Sequence, residues 1–172
     1  RSKILADAGW NDTDGDGIVE KNGTKASFTV YYKASATERQ AIAVSVAEEA
    51  KEIGIEVIPQ GGSLDDIDPN IHSQGVVWGW GSADPYSLEH QYDSRVAGVG
   101  YDNAEMLNDS TVDSGIDAAM GQDLNSSYAS WSQVAQQANS NYPYLWIGTM
   151  DYTYFVHDDL DISNSTHLIY PH

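Results

Sequence analysis

Residues 26–58 read ASFTVYYKASATERQAIAVSVAEEAKEIGIEVI. Ala26 to Lys33 is dense in β-branched and aromatic residues, the composition of a strand. Thr37-Glu38-Arg39-Gln40 has the form of a capping box, with a Thr hydroxyl for the N3 amide and a Gln reaching back. The helix it opens is expected to run to Ile53, with Ile42, Val46, Ala50 and Ile53 on one face and Gly54 as its stop. Ile55 to Ile58 is a second strand. Strand, helix and strand in that order predict a β-α-β unit, which pairs in parallel and crosses over right-handedly.

The flanks extend this pattern. Ser2 to Ala8 is a short helix halted by Gly9, and an acidic loop covers Asn11 to Gly23. Residues 61–74 are polar and turn-rich, with room for one helical turn. Val76-Val77-Trp78-Gly79-Trp80-Gly81-Ser82-Ala83-Asp84-Pro85-Tyr86 then begins as an apolar strand and ends in glycines, a carboxylate and a proline. Glycines on both sides of Trp80 let something approach the backbone closely, and loops at strand ends are where α/β proteins place ligands. The alternative is a core strand whose tryptophans only fill space.

Further helices are expected over Pro85–Tyr92, Thr111–Met120 and Ser126–Ser140. The second carries Val112, Ile116 and Ala119 on one side, and the third carries Tyr128, Trp131, Val134, Ala135 and Ala138. Tyr142-Pro143 ends the last helix, and Tyr144–Met150 and Tyr152–His157 follow as strands before a polar tail. With no internal repeat, residues 1–172 read as a single α/β lobe, a mixed sheet with flanking helices.

The chain holds 26 acidic against 8 basic residues, for a net charge of −18. Such a chain is repelled by nucleic-acid phosphates and anionic lipid, so no nucleic-acid partner is expected. Adaptation to high salt gives the same composition. Cysteine is absent, which excludes disulfides and thiolate chemistry. No run approaches the ~18 to 20 apolar residues of a membrane span. Arg1-Ser2-Lys3-Ile4-Leu5 is not a signal peptide, and the opening inside a helix reads as a fragment of a longer chain.

Asn11 to Glu20 places carboxylates at alternate positions: Asp12, Asp14 and Asp16. This is the spacing with which EF-hand-like loops wrap Ca²⁺, using a backbone carbonyl at the seventh position, here Ile18. The pattern then departs, because the twelfth position is Gly23 and no helix follows. Glu20 is the one later carboxylate. Asp12, Asp14, Asp16, Ile18 and Glu20 are therefore the candidate ligands of a structural Ca²⁺ clip, against a solvated turn in an acidic protein. No other cofactor is called for. The five histidines do not cluster, no catalytic motif occurs, and nothing assembles a nucleophile, base and orienting group.

Several segments together carry a family resemblance. They are Ile4-Leu5-Ala6-Asp7-Ala8-Gly9-Trp10, the Asp12-to-Ile18 loop, the Gly54-Ile55-Glu56-Val57 joint, Trp78-Gly79-Trp80 with Asp84-Pro85, Val112 to Ala119, and Tyr142-Pro143. Over residues 2–157 the chain resembles the C-terminal lobe of the family 5 extracellular solute-binding proteins, the peptide-, dipeptide- and nickel-binding receptors of ABC importers. The resemblance implies one lobe of a two-lobed, periplasmic-binding-protein-like (type II) clamshell that binds without catalysis. It implies a small solute, a peptide foremost, and the membrane subunits of an ABC permease as partners. The location implied is extracellular, on a cell-surface lipoprotein or in a periplasm. Trp78, Trp80, Ser82 and Asp84 fall on the cleft-facing segment. Peptide binders commonly carry a ligand-pairing aspartate there; in this short loop only Asp84 remains, and it also suits capping of the next helix. The alternative class is an extracellular Ca²⁺-stabilised carbohydrate-binding or adhesion module. It explains the acidic loop and the aromatic content, but such modules are usually all-β.

Overall fold

The computed structural model describes residues 3–79, 84–148 and 155–159. Helix α1 (Lys3–Asp7) ends at Gly9, whose φ of +85° is a left-handed stop that a side chain would resist. The acidic loop leads into strands β1 (Glu20–Lys21) and β2 (Thr24–Lys25), an antiparallel pair. This hairpin was not foreseen. Its signal was Asn22-Gly23, with φ of 52° and 77°, the turn chemistry that two-residue hairpins demand.

Strand β3 (Ser27–Lys33), helix α2 (Thr37–Glu52) and strand β4 (Glu56–Gly62) form the expected β-α-β unit. β3 and β4 run parallel from Ser27 opposite Glu56 to Lys33 opposite Gly62. Strand β5 (Gly75–Val76) pairs in parallel with the other edge of β3, giving the order β4-β3-β5. Pro59 is tolerated because β4 lies at the edge of the described sheet.

Two details of α2 differ from expectation. Its N-cap is Ala36, with no side-chain cap, because the bond from Ala36 N–H to the Lys33 carbonyl starts the helix one residue early. Thr37 is therefore already helical and cannot cap. The inward face is Ala43, Val46, Ala47 and Ala50, packed on Val30, Tyr32 and Val57. Ile53, at the C-cap, is 39% exposed. Small side chains face the sheet because a helix lying flat on strands leaves little depth.

Helix α3 (Leu64–Ile67) is a single turn closed by a capping box of Ser63 and Asp66, followed by a 3-10 turn over Asp68–Asn70. Helices α4 (Ser87–Tyr92), α5 (Ser110–Met120) and α6 (Leu124–Ser140) build a second core from Tyr92, Val112, Ile116, Ala119, Trp131, Val134 and Ala138. Of the stripe expected on α6, Tyr128 is 56% exposed, and Ser127 is buried beside it. α6 begins at Leu124, two residues before the predicted start, because Asp123 accepts the N–H groups of Asn125 and Ser126 and caps it there. Residues 144–148 form no strand; Tyr144 instead packs against Tyr92 and Trp146. The remainder of the two expected terminal strands lies largely outside the described residues.

Helices α5 and α6 approach closely at Gly115. A Cβ added there would lie 2.8 Å from Val134 Cγ2. Gly115→Ala should therefore lower stability by about 1 kcal/mol or more, although alanine is the better helix former. Urea denaturation checks the sign, and a gain in stability would mean that helix propensity outweighs the contact. Asp109 caps α5 and is held down at about 2 by hydrogen bonds from Gln137 and Asn141, then from the Thr111 N–H. A depressed carboxyl contributes stability that is present above its unfolded value of about 4 and is lost as pH falls through the folded value. Between about pH 5 and about pH 2, Asp109→Asn should lose less stability than the parent chain, by thermal melts at each pH.

Candidate functional site

In an open parallel sheet, ligands bind beyond the carboxyl ends of the strands, where connections leave one strand toward opposite sides. β3 is such a strand, since its chain crosses first to β4 and returns past it to β5. Three connections leave this edge: one from β3 into α2, one from β4 into α3, and residues 77–79 after β5.

The elements these connections enter, and residue 78 beyond β5, each place a side chain in one cluster. Trp78, two residues beyond β5, stacks on Tyr101 with centroids 4.3 Å apart and planes 10° from parallel. The Arg39 guanidinium, from the first turn of α2, lies over the Trp78 ring at 5.4 Å. The Tyr101 phenol donates to Asp68, which follows α3. Burial first, and then that bond, push the phenol up to about 12, so at neutral pH it stays a donor.

Tyr101 reaches the edge because its loop is anchored. Asn103 is fully buried; its amide donates to the carbonyls of Asp93 and Leu107, and its oxygen accepts the Leu107 N–H. Asp93, 1% exposed, holds Arg95 in a fork, and Arg95 reaches on to Asp117. The Arg95 bonds hold the Asp93 carboxyl below its ordinary value. His72 Nδ1 meets the Ala104 carbonyl at 2.9 Å and ties the same loop to the turn after α3.

The predicted site residues fare differently. Trp78 sits in the cluster, but one of its faces is covered by Tyr101, so it is a wall more than an open platform. Trp80 and Ser82 lie outside the described residues. Asp84 Oδ1 accepts the Tyr86 N–H at 3.0 Å and the Asp84 carbonyl accepts the Ser87 N–H, an Asx turn ahead of α4, whose N-cap is Tyr86 with no side-chain cap. Arg39, Asp68 and Tyr101 were missed. Arg39 carried a signal, because a cation in the first turn opposes the helix dipole and needs another reason to be there.

In the acidic loop, carboxylate oxygens of Asp12, Asp14 and Glu20 lie within 4.8 Å of one another. Asp16 is drawn away to Lys25 and also accepts the Ile18 N–H, while Ile18 is buried. Lys25, at 3.2 Å from Asp14, holds the Asp16 carboxyl low.

No family model matches the chain. Protein XP55 of Streptomyces lividans is 32% identical over 165 residues, 92% of this chain and 30% of that protein. The oligopeptide-binding protein AppA of Bacillus subtilis is 39% identical over 113 residues, 60% of this chain and 21% of that protein. The AppA structure, solved with a nonapeptide, superposes with a TM-score of 0.70 at 29% identity, covering 81% of this chain and 29% of AppA. NikZ of Campylobacter jejuni, solved with Ni(L-His), gives 0.72 at 20% identity over 81% of this chain and 29% of NikZ. The chain thus spans less than a third of the relatives it matches.

The class that fold and edge cluster define is an α/β lobe of the periplasmic-binding-protein-like kind. Its structural neighbours are family 5 peptide- and nickel-binding proteins of ABC importers, the group its residues resemble.

A double-mutant cycle on Trp78→Ala and Tyr101→Ala should give a coupling of about 0.5–1.5 kcal/mol by denaturation. A coupling near zero would mean that the two rings do not meet in solution.

Proposed function

We propose that the chain is the C-terminal ligand-binding lobe of a substrate-binding component of an ABC importer. It captures a peptide or similar small solute without covalent chemistry and delivers it to a membrane permease, outside the cytoplasmic membrane. The observation that carries this reading is the convergence of three loops beyond the sheet's carboxyl edge, beside β3, with aromatic, cationic and carboxylate groups together. Stacked rings flanked by one positive and one negative group suit a ligand with an apolar body and charged ends. Trp80 and Asp84, which the resemblance puts on the cleft-facing segment, are the residues we assign to the solute. AppA, whose structure holds a nonapeptide, supports a peptide as the first solute to test.

The β-α-β unit and the helical second core weigh against the carbohydrate-binding or adhesion reading, since modules of that kind are usually all-β. In a two-lobed receptor closure supplies much of the affinity, so one lobe alone binds weakly. The test is titration calorimetry of the full-length protein that contains this chain, against dipeptides and oligopeptides. Micromolar binding weakened about tenfold by Trp80→Ala, roughly 1.4 kcal/mol, is the expected result. Peptide binding indifferent to Trp78→Ala and Trp80→Ala alike would overturn the placement of the site. No peptide binding by a folded protein would overturn the peptide assignment and direct the search to metal chelates and other solutes.

A further inference from the structure

We propose that the loop between α1 and β1 is a Ca²⁺ site built on Asp12, Asp14 and Glu20, remote in function from the sheet-edge cluster. The three carboxylates bring ligand oxygens within 4.8 Å of one another, close enough for one ion to touch all three. An acidic cluster alone is weak evidence, because exposed carboxylates gather in any chain of this charge. The deciding observation is Glu20. Its residue is 8% exposed, and its Oε2 accepts both the N–H and the hydroxyl of Thr13, each at 2.8 Å. Its Oε1 is buried with no hydrogen-bond partner. A buried carboxylate oxygen without a donor is costly unless a cation meets it.

The protein's own cation does not serve that oxygen. Lys25 lies across the hairpin from Glu20 in register, yet its ammonium is placed on Asp14 and Asp16. Thr13, between two of the ligands, holds Glu20 inside the loop, so the buried carboxylate and the two outer ones converge from opposite ends of one short segment. Carboxylate oxygens are hard ligands, and Ca²⁺ takes 6–8 of them in flexible geometry, with backbone carbonyls and water completing the shell. Mg²⁺ demands a tight octahedron and sheds water reluctantly, so it fits such an irregular loop less well. Asp16 then belongs to Lys25 and not to the ion, a division the even spacing of the sequence does not show.

Binding at this place would act on stability. The loop runs directly into Val19, whose N–H donates to the Gly54 carbonyl at the end of α2, and into the Glu20–Lys25 ribbon pair. The test is thermal unfolding of the purified chain after chelator treatment. Ca²⁺ at about a hundred times its dissociation constant should raise Tm by roughly 5 °C over an ionic-strength-matched NaCl control, with a smaller rise in Mg²⁺. Calorimetric titration should show one site. Glu20→Gln and Asp14→Asn should each abolish most of the rise; Asp14 is exposed, so its variant decides the matter if Glu20→Gln fails to fold. No rise over NaCl, or a rise retained in Asp14→Asn, would overturn the proposal and mark the loop as a Lys25-clamped turn.

Discussion

Both edges of β3 are occupied by strands running in its own direction, and a parallel neighbour cannot be reached by a tight turn. Each pairing therefore costs a crossover, and α2 and the α3 region are those crossovers. Because both return to the same side of the strand ends, their first turns and the exit from β5 are forced together at the carboxyl edge. The cluster of Arg39, Asp68 and Trp78 is a by-product of that constraint before it is anything else. Tyr101 is the one member supplied from outside the sheet, and it arrives only because Asn103 and Asp93 pin its loop with buried hydrogen bonds. The Trp78 and Tyr101 rings, neither of them part of the two hydrophobic cores, meet at that edge.

The acidity of the chain is less free than its net charge implies. Asp109 and Asp123 cap α5 and α6, Asp66 closes α3, Asp84 turns the chain into α4, and Asp93 holds Arg95. Each accepts hydrogen bonds, and those from the side chains of Gln137 and Asn141 on Asp109, Ser126 on Asp123, Ser63 on Asp66 and Arg95 on Asp93, foremost among others, keep these carboxyls below their ordinary value. Many of the aspartates are thus structural devices that happen to be charged. Acid would weaken several of them together, because the same proton removes the charge and turns one acceptor oxygen into a donor.

Legibility followed how local the cause was. The β-α-β unit, the inward face of α5 and the Gly54 stop were readable, since each is set by periodicity or by one residue's backbone freedom. On α2 Val46 and Ala50 were readable as inward, but Ile42 and Ile53 drew the reading as the larger apolar residues, and Ala43 and Ala47 take the places on the sheet. Tyr128 reads as inward on the same reasoning, yet it is exposed and Ser127 is the buried neighbour. The edge cluster was half legible: Trp78 stands at the end of an apolar run, but no local pattern points from Tyr101 to a ring 23 positions earlier. The division of the acidic loop between Lys25 and Glu20 depends on the hairpin register, whose local signal is the Asn22-Gly23 pair.

One joint has a consequence for rearrangement by recombination. Gly54 sits at φ of +90°, and a side chain there would collide with Val19, 2.9 Å away, while its carbonyl already receives the Val19 amide. The end of α2 and the foot of the acidic loop are thus cut to each other's shape. A chimera joined between residues 25 and 27 would pair a foreign loop with this glycine, or this loop with a foreign helix end, and break the fit from either side. The acidic loop's foot and the end of α2 would therefore have to be exchanged together for the fit to survive.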